Sequence, residues 1–378
     1  MGDKVAATAQ SFAPARGKAM KLCLVMIVRD EAHVIERCLK SLLPHISHWV
    51  ICDTGSTDGT QEKIKELLKD VPGELYEDPW VHFAHNRTLA IQRAKGKGDY
   101  HLMMDADHEW HGSLPPLDGP GYVIEHRYDS LVYGIPIVMK DGFDWEYVCP
   151  IHETVRCKEA GPFQGVPGKF CYVKVYPEGA RSKDPRKYHK DAEILQKHVD
   201  EHPDDARATY YLAQSYWNSG QIEKAREWYG KRAQMTNGWW EEQWHALYRL
   251  AQTAQQLDLP FAVVMTEYLS AYQANPKRAE PLVTLARYAR LKDYHSITVM
   301  ACRQAMTLPR PEIGLFLEPL AYGWVPLDEF GVSAFYAGFP EEGAKACQKL
   351  LRHPELPAHE RKRVEVNLAH YRQQQKAA

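Results

Sequence analysis

The chain has 378 residues, room for two domains, and its 47 basic and 49 acidic side chains leave a formal charge of −2. So even a balance provides no global field to draw in nucleic acid or an anionic membrane. There is no apolar run of roughly 18 residues and no secretory leader, which makes a soluble cytoplasmic protein without membrane insertion the expectation. Eight cysteines show no paired metal spacing, and Cys23, Cys52 and Cys171 lie inside apolar runs, as buried free thiols in a reducing compartment would.

Residues 1–19 are small and polar and read as a disordered or appended leader. The apolar run Lys21–Val28 predicts a strand that ends at Arg29-Asp30-Glu31. Val34, Ile35, Cys38, Leu39 and Leu42 follow at helical spacing. A second short strand, Trp49–Cys52, runs into Asp53-Thr-Gly-Ser-Thr-Asp-Gly-Thr60, which opens an amphipathic helix marked by Ile64, Leu67 and Leu68. Glycines, hydroxyls and carboxylates packed this closely can expose backbone N–H groups and side-chain acceptors to a nucleotide. The same loop also reads as an ordinary strand-to-helix turn with Asp58 or Thr57 as N-cap. Asn86-Arg87 precedes a helix over Thr88–Ala94, and the apolar run Tyr100–Met104 ends in Asp105-Ala106-Asp107. Two carboxylates one residue apart at a strand end suit a hard divalent cation, although in isolation they equally suit a solvated turn.

In this order and spacing, the four motifs over residues 20–110 resemble the family-2 glycosyltransferases of GT-A fold. The resemblance implies an α/β nucleotide-sugar domain with a mixed sheet and a Rossmann-like half, using a UDP-sugar and Mn²⁺ or Mg²⁺. It makes Asp53 the acceptor for the uracil N3–H, with Val28, Asp30 and Glu31 lining base and ribose, and Ser56, Asp58 and Ala106 among the nucleotide contacts. Arg87 becomes the cation near the nucleoside or diphosphate, Asp105 the ribose or metal partner, and Asp107 the direct ligand of a metal bridging the two phosphates.

Over Gly112–Tyr176 the pattern is mixed β, with strands at Gly121–His126 and Leu131–Lys140 and a hairpin-type turn at Asp141-Gly142. In Trp145-Glu-Tyr-Val-Cys-Pro-Ile-His-Glu153, His152 resembles an extra metal ligand of repeat-bearing family members. Glu153, or else Asp144 or Glu146, is the candidate general base, since an inverting transferase needs a carboxylate near the acceptor proton.

From about Pro185 the chain turns helical, with Leu212-Ala213, Leu250-Ala251, Leu285-Ala286 and the related Phe330-Gly331 recurring on a period of roughly 34–45 residues, as in tetratricopeptide-like solenoids. Repeat units are expected around Leu212–Tyr229, up to Pro276, over Glu280–Pro309 and over Asp328–Pro354, with Trp239, Trp240 and Trp244 between repeats. The expected organisation is a GT-A domain at 20–178, a linker and connecting helix at 179–205, and an all-α tetratricopeptide-like helical solenoid at 206–378. A nucleotide-sugar domain this short leaves little chain for an acceptor site, which favours a peptide, protein or other polymer engaged by the repeats. Bacterial peptide S-glycosyltransferases are similar in layout. Inverting transfer of a hexose to such an acceptor is the expected activity. The competing expectations are the same chemistry on a hydroxylated base of phage DNA or a surface glycan, or a decayed GT-A half serving a repeat-based interaction module. The repeats are also a candidate homodimer contact.

Overall fold

The computed structural model describes residues 20–377 apart from residue 130 and residues 312–315, so the expected leader at 1–19 lies outside the described residues. The chain divides into two compact units, Met1–Leu195 and Gln196–Ala378. The division falls inside the segment expected to connect the domains.

The first unit is built on a sheet of order β3-β2-β1-β4-β7-β6-β11-β5, with β10 beside β6. Strands β1 (Leu22–Val28), β2 (His48–Asp53), β3 (Gly73–Glu77) and β4 (Tyr100–Met103) are mutually parallel. They are joined through helices α1 (Ile35–Leu42), α2 (Thr60–Leu67) and α3 (Phe83–Ala94). Leu22 through Met26 are all buried, which is why β1 reads as a continuous apolar run rather than an alternating one. Helix α1 buries Ile35, Cys38, Leu39 and Leu42 on one stripe, each fully buried aliphatic side chain contributing roughly 1.5–3 kcal/mol. The chain runs outward from β1 through β2 to β3 and then crosses back to place β4 on the other side of β1. The topological switch point therefore lies between β1 and β4, where open α/β sheets bind ligands beyond the carboxyl ends of the strands.

The remaining strands complete a mixed sheet. Strand β7 (Leu131–Lys140) lies antiparallel to β4 and to β6 (Gly121–Tyr128), while β11 (Cys171–Lys174) runs parallel to β6 and antiparallel to β5 (Glu109–Gly112). Strand β10 (Gln164–Gly165) is a short parallel addition to β6. The turn at Asp141-Gly142 differs from the expected hairpin. Gly142 is left-handed at φ 88°, but the next strand, β8 (Glu146–Val148), pairs with β9 (Thr154–Arg156) in a separate ribbon. Asp141 accepts the Gly96 N–H instead, tying the turn to the end of α3. Helix α3 begins at Phe83, ahead of Thr88, because the His82 ring caps it through the His85 N–H.

The second unit is helical. After α4 (Lys187–Glu201), which crosses the division, come the hairpins α5 (Ala206–Asn218)/α6 (Ile222–Gln234), α7 (Trp240–Gln256)/α8 (Phe261–Ala274), α9 (Glu280–Leu291)/α10 (His295–Ala305) and α11 (Val325–Tyr336)/α12 (Pro340–Leu351), then α13 (Ala358–Ala377). All four hairpin turns close in the same way. The second residue after each first helix is left-handed: Gly220, Asp258, Asp293 and Gly338. The next N–H, of Gln221, Leu259, Tyr294 or Phe339, returns 2.8–3.0 Å to the carbonyl five residues back, the bond of a Schellman cap. Ala213, Ala251 and Ala286 are fully buried, and Gly331 holds the same place, where a Cβ would lie 3.2 Å from Cys347 Sγ. Small residues there let neighbouring helices approach, which explains the recurring Leu-Ala pairs. Trp244 is buried, with its Nε1 donating to the Ala271 carbonyl, whereas Trp240 is 59% exposed. Arg278 is buried between Glu280 (2.9 Å) and Glu241 (3.2 Å). Among the described residues no helix is long and apolar enough to cross a membrane.

Candidate active site

Three strand ends meet at the switch point, and each carries carboxylates. At the end of β2, Asp53 is fully buried. Its Oδ1 accepts the N–H groups of Gly55 and Ser56, both at 2.8 Å, so the loop turns around its own strand-end carboxylate. Its Oδ2 is buried and has no hydrogen-bond partner among the described residues. A buried acceptor left open is costly unless a ligand donor meets it. Val28 ends β1 buried, and its carbonyl accepts from both the N–H and the hydroxyl of Thr54.

The rest of the 53–60 loop is turned toward the β1–α1 turn, not outward. Ser56 Oγ accepts the Asp30 N–H at 2.9 Å, Asp30 Oδ1 accepts the Thr57 N–H at 2.8 Å, and Thr60 Oγ1 accepts the Glu31 N–H at 2.9 Å. Asp58 accepts from Ala32 and from Thr60. Ser56 and Asp58, expected among the nucleotide contacts, clamp two loops together, and so does Asp30, which sits at a left-handed φ of 55°. The N-cap of α2 is Gly59, left-handed at φ 88° and without a side-chain cap, in place of the expected Asp58 or Thr57.

At the end of β4, Asp105 and Asp107 have different surroundings. Arg87, on the second turn of α3, reaches Asp105 Oδ1 at 2.6 Å, and its Nε lies 2.7 Å from Glu153 Oε1. Burial works against the Arg87 charge, but Asp105 and Glu153 more than offset it and hold the guanidinium firmly protonated. Burial likewise works against the Asp105 carboxylate, and Arg87 outweighs it, holding the group at about 2. Arg87, expected as the cation near the nucleoside or diphosphate, is paired with these two carboxylates. Ala106 turns its methyl into the core, and Asn86 staples residues 79–81 by accepting the Val81 N–H and donating to the Pro79 carbonyl.

Asp107 has no such cation. Its Oδ2 accepts the Gly179 N–H at 3.0 Å, and His108 Nε2 is 3.7 Å from its Oδ1. Burial, then the neighbouring Asp105 charge, raise its pKa. Glu31, at the end of β1, joins this group: its Oε1 accepts the Ala180 N–H at 3.3 Å while its Oε2 is buried without a partner. Burial, with the Asp107 and Asp105 charges adding to it, pushes the Glu31 carboxyl up to about 7. His126 and Tyr133 stack near Asp105, and burial drives the His126 imidazole down to about 4, which leaves it neutral. Nothing in the local sequence marks His108, His126 or Tyr133, which reach the site from β6, β7 and the residue after Asp107.

The β8–β9 turn sorts the remaining candidates. Cys149 and His152 are both left-handed, at φ 69° and 55°, and the turn carries Glu153 to Arg87 while His152 is exposed. Among the described residues no group of three or more His, Cys, Asp or Glu side chains is placed to hold a metal. Asp144 lies past the opposite end of α3 from Arg87, exposed and 2.5 Å from Lys95, which removes it from the candidate bases. Glu146 is likewise paired outside the cluster, with Arg156 at 2.8 Å.

Residues 23–159, which lie within the α/β unit, match the model of the family described as glycosyl transferase family 2. A TPR repeat-containing protein of Synechococcus elongatus is 35% identical over 111 residues, 28% of this chain and 26% of that protein. The chain thus spans about a quarter of the length of the curated relative it matches. Among solved structures, a MamA protein matches 44% of this chain and 81% of its own (14% identity, TM-score 0.36). YrrB, described as a TPR protein with an unusual peptide-binding site, matches 44% of this chain and 78% of its own (11% identity, TM-score 0.35). The repeat architecture itself rests on the four hairpins and their identical caps.

Proposed function

We propose that the chain is a metal-dependent inverting glycosyltransferase that moves a hexose from a UDP-sugar to a peptide, protein or other macromolecular acceptor engaged by the repeat helices. The observation that carries this reading is the pair of buried carboxylate oxygens without partners, Asp53 Oδ2 and Glu31 Oε2, at neighbouring strand ends of the switch point. The first suits an N–H donor such as that of uracil, and the second, beside Asp107, suits a cation.

The donor set fits a hard divalent ion. Asp107 and Glu31 are carboxylates that burial and mutual repulsion penalise, so a cation between them relieves a cost the fold otherwise carries. Mn²⁺ or Mg²⁺ would be held by Asp107 and Glu31, filling its shell with water and substrate phosphate oxygens. Bound there, the ion would neutralise charge that develops on the departing diphosphate. The protein's own residues do the rest. Asp53 orients the base, Asp30 and Val28 shape the loop beside it, and Arg87 fixes the Asp105 and Glu153 carboxylates in one rigid array. Glu153 is the carboxylate brought to the cluster, and it takes the acceptor proton as the acceptor atom bonds to the anomeric carbon and the bond to the β-phosphate oxygen breaks. All eight cysteines are free, which supports a reducing compartment such as the cytoplasm.

The test is calorimetric titration of UDP with and without Mn²⁺, for the parent and Asp107→Asn, followed by mass spectrometry with a panel of UDP-sugars. The parent is expected to bind UDP more tightly with Mn²⁺ and to hydrolyse one donor slowly, and Asp107→Asn to lose the metal-dependent part of binding and the hydrolysis. Metal-independent UDP affinity in both proteins refutes the assignment.

A further inference from the structure

Residues 176–180 form a strap across the carboxylates of the switch point, fastened at several places. The Tyr176 hydroxyl donates to Glu109 at 2.9 Å, and the Tyr176 ring packs under the Arg37 guanidinium at 3.8 Å. Arg37 Nη2 bridges the Asp107 carbonyl (3.0 Å) and Glu178 Oε2 (2.9 Å), and His33 Nε2 lies 2.8 Å from the Glu178 carbonyl. Held this way, the strap directs two successive N–H groups at two carboxylates, Gly179 at Asp107 Oδ2 and Ala180 at Glu31 Oε1. Gly179 stands between them: a Cβ there would lie 3.1 Å from Asp107 Oδ2 and 3.3 Å from Glu31 Oε1, so a residue without a side chain is what the gap accepts.

From this geometry we infer that the 176–180 strap is an internal competitor for the metal–nucleotide subsite, displaced when a divalent cation and a nucleoside diphosphate bind. The inference rests on the assignment of Asp107 and Glu31 to that subsite. The strap N–H groups hold one oxygen of each of the two carboxylates that a cation would draw together, Asp107 Oδ2 and Glu31 Oε1, so strap and ion compete for the orientation of the same side chains. The resting site is thus kept from binding stray cations weakly, and loading frees the segment that leads through the short helical turn Ala180–Lys183 toward α4. Glu178 is the adjustable fastening. It is half exposed, contacts no reacting group in the proposed chemistry, and is joined to Arg37 by an ion pair at the site's edge.

The test is hydrogen–deuterium exchange of the full chain, following the peptide that spans residues 177–183, with buffer, Mn²⁺ alone, and Mn²⁺ with UDP. Amide exchange there is expected to rise roughly tenfold or more with Mn²⁺ and UDP, because the Gly179 and Ala180 hydrogen bonds open. Glu178→Ala is expected to raise exchange without ligand and to tighten Mn²⁺-dependent UDP binding by roughly two- to fivefold, the scale of one exposed ion pair. If the parent binds UDP with Mn²⁺ while the peptide becomes more protected or stays unchanged, the strap inference fails and the functional assignment stands. Absence of Mn²⁺-dependent UDP binding in the parent overturns both.

Discussion

Replacing Asp53 separates its two oxygens, which have different roles. Oδ1 holds the loop through two 2.8 Å bonds from Gly55 and Ser56, and Oδ2 faces no protein donor. Asp53→Asn, with its amide oxygen kept toward the loop, preserves both backbone bonds and puts an NH₂ where the open acceptor was. Stability should therefore change little, while a uracil N3–H would meet a donor instead of an acceptor. A hydrogen bond to a charged group is worth about 1.5–3 kcal/mol, so UDP affinity should fall by roughly 10- to 150-fold. Asp53→Ala should show the same binding loss and, in addition, about 1–3 kcal/mol of destabilisation from two N–H groups deprived of their acceptor. Titration calorimetry with UDP and GDP at saturating Mn²⁺, paired with thermal melting, separates the two effects. If Asp53→Asn binds UDP within about twofold of the parent, or the parent does not prefer UDP to GDP, Asp53 is not the base-reading residue.

Two further outcomes follow from the charges around Asp53. Arg87→Met leaves Asp105 and Glu153 without their shared cation and should cost about 3 kcal/mol in urea unfolding, the low end for a broken buried pair because Asp105 is partly exposed; a loss under about 1 kcal/mol would mean the pairing is not structural. Glu31, raised from 4.5 to about 7, binds a proton more tightly folded than unfolded, so its contribution to stability is full at low pH and is lost as pH climbs through that window. In chelator, Glu31→Gln should therefore gain on the parent steadily from about pH 5 to pH 8 in thermal melts, and a pH-independent difference would contradict the assigned burial.

What could be read from the sequence was what local pattern encodes. Helix α1 and the four hairpins follow from 3.6-residue periodicity and from a left-handed cap residue, here glycine or aspartate, and these signals lie within a few residues of their consequence. Asp53, Asp105 and Asp107 were legible because each ends an apolar strand. The partners of those side chains were not. Arg87 meets Glu153 only because the β8–β9 turn returns to the start of α3, and Glu31 meets Ala180 across a sequence separation of 149. Ser56 and Asp58 stand in a motif that suggests a ligand, yet their hydrogen bonds run to Asp30 and Ala32, in a loop 26 residues away. Strand β5 pairs with β11 rather than with its neighbours in sequence, and no residue in either strand signals that pairing.

The charge arrangement also constrains the order of events. Arg87 offsets Asp105 and Glu153, while Asp107 and Glu31 accept the strap N–H groups of Gly179 and Ala180. A nucleoside diphosphate approaching without a cation would bring more negative charge to Glu31 and Asp107, whose carboxyls burial, with the neighbouring carboxylate charges adding to it, already pushes up. A divalent ion arriving first, or together with the diphosphate, reverses the sign of the field at the β4 strand end and turns repulsion into attraction. On the proposed function, the site would therefore select metal-bound nucleotide over free nucleotide by electrostatics, and Asp53 would then choose among nucleotides already paired with the ion.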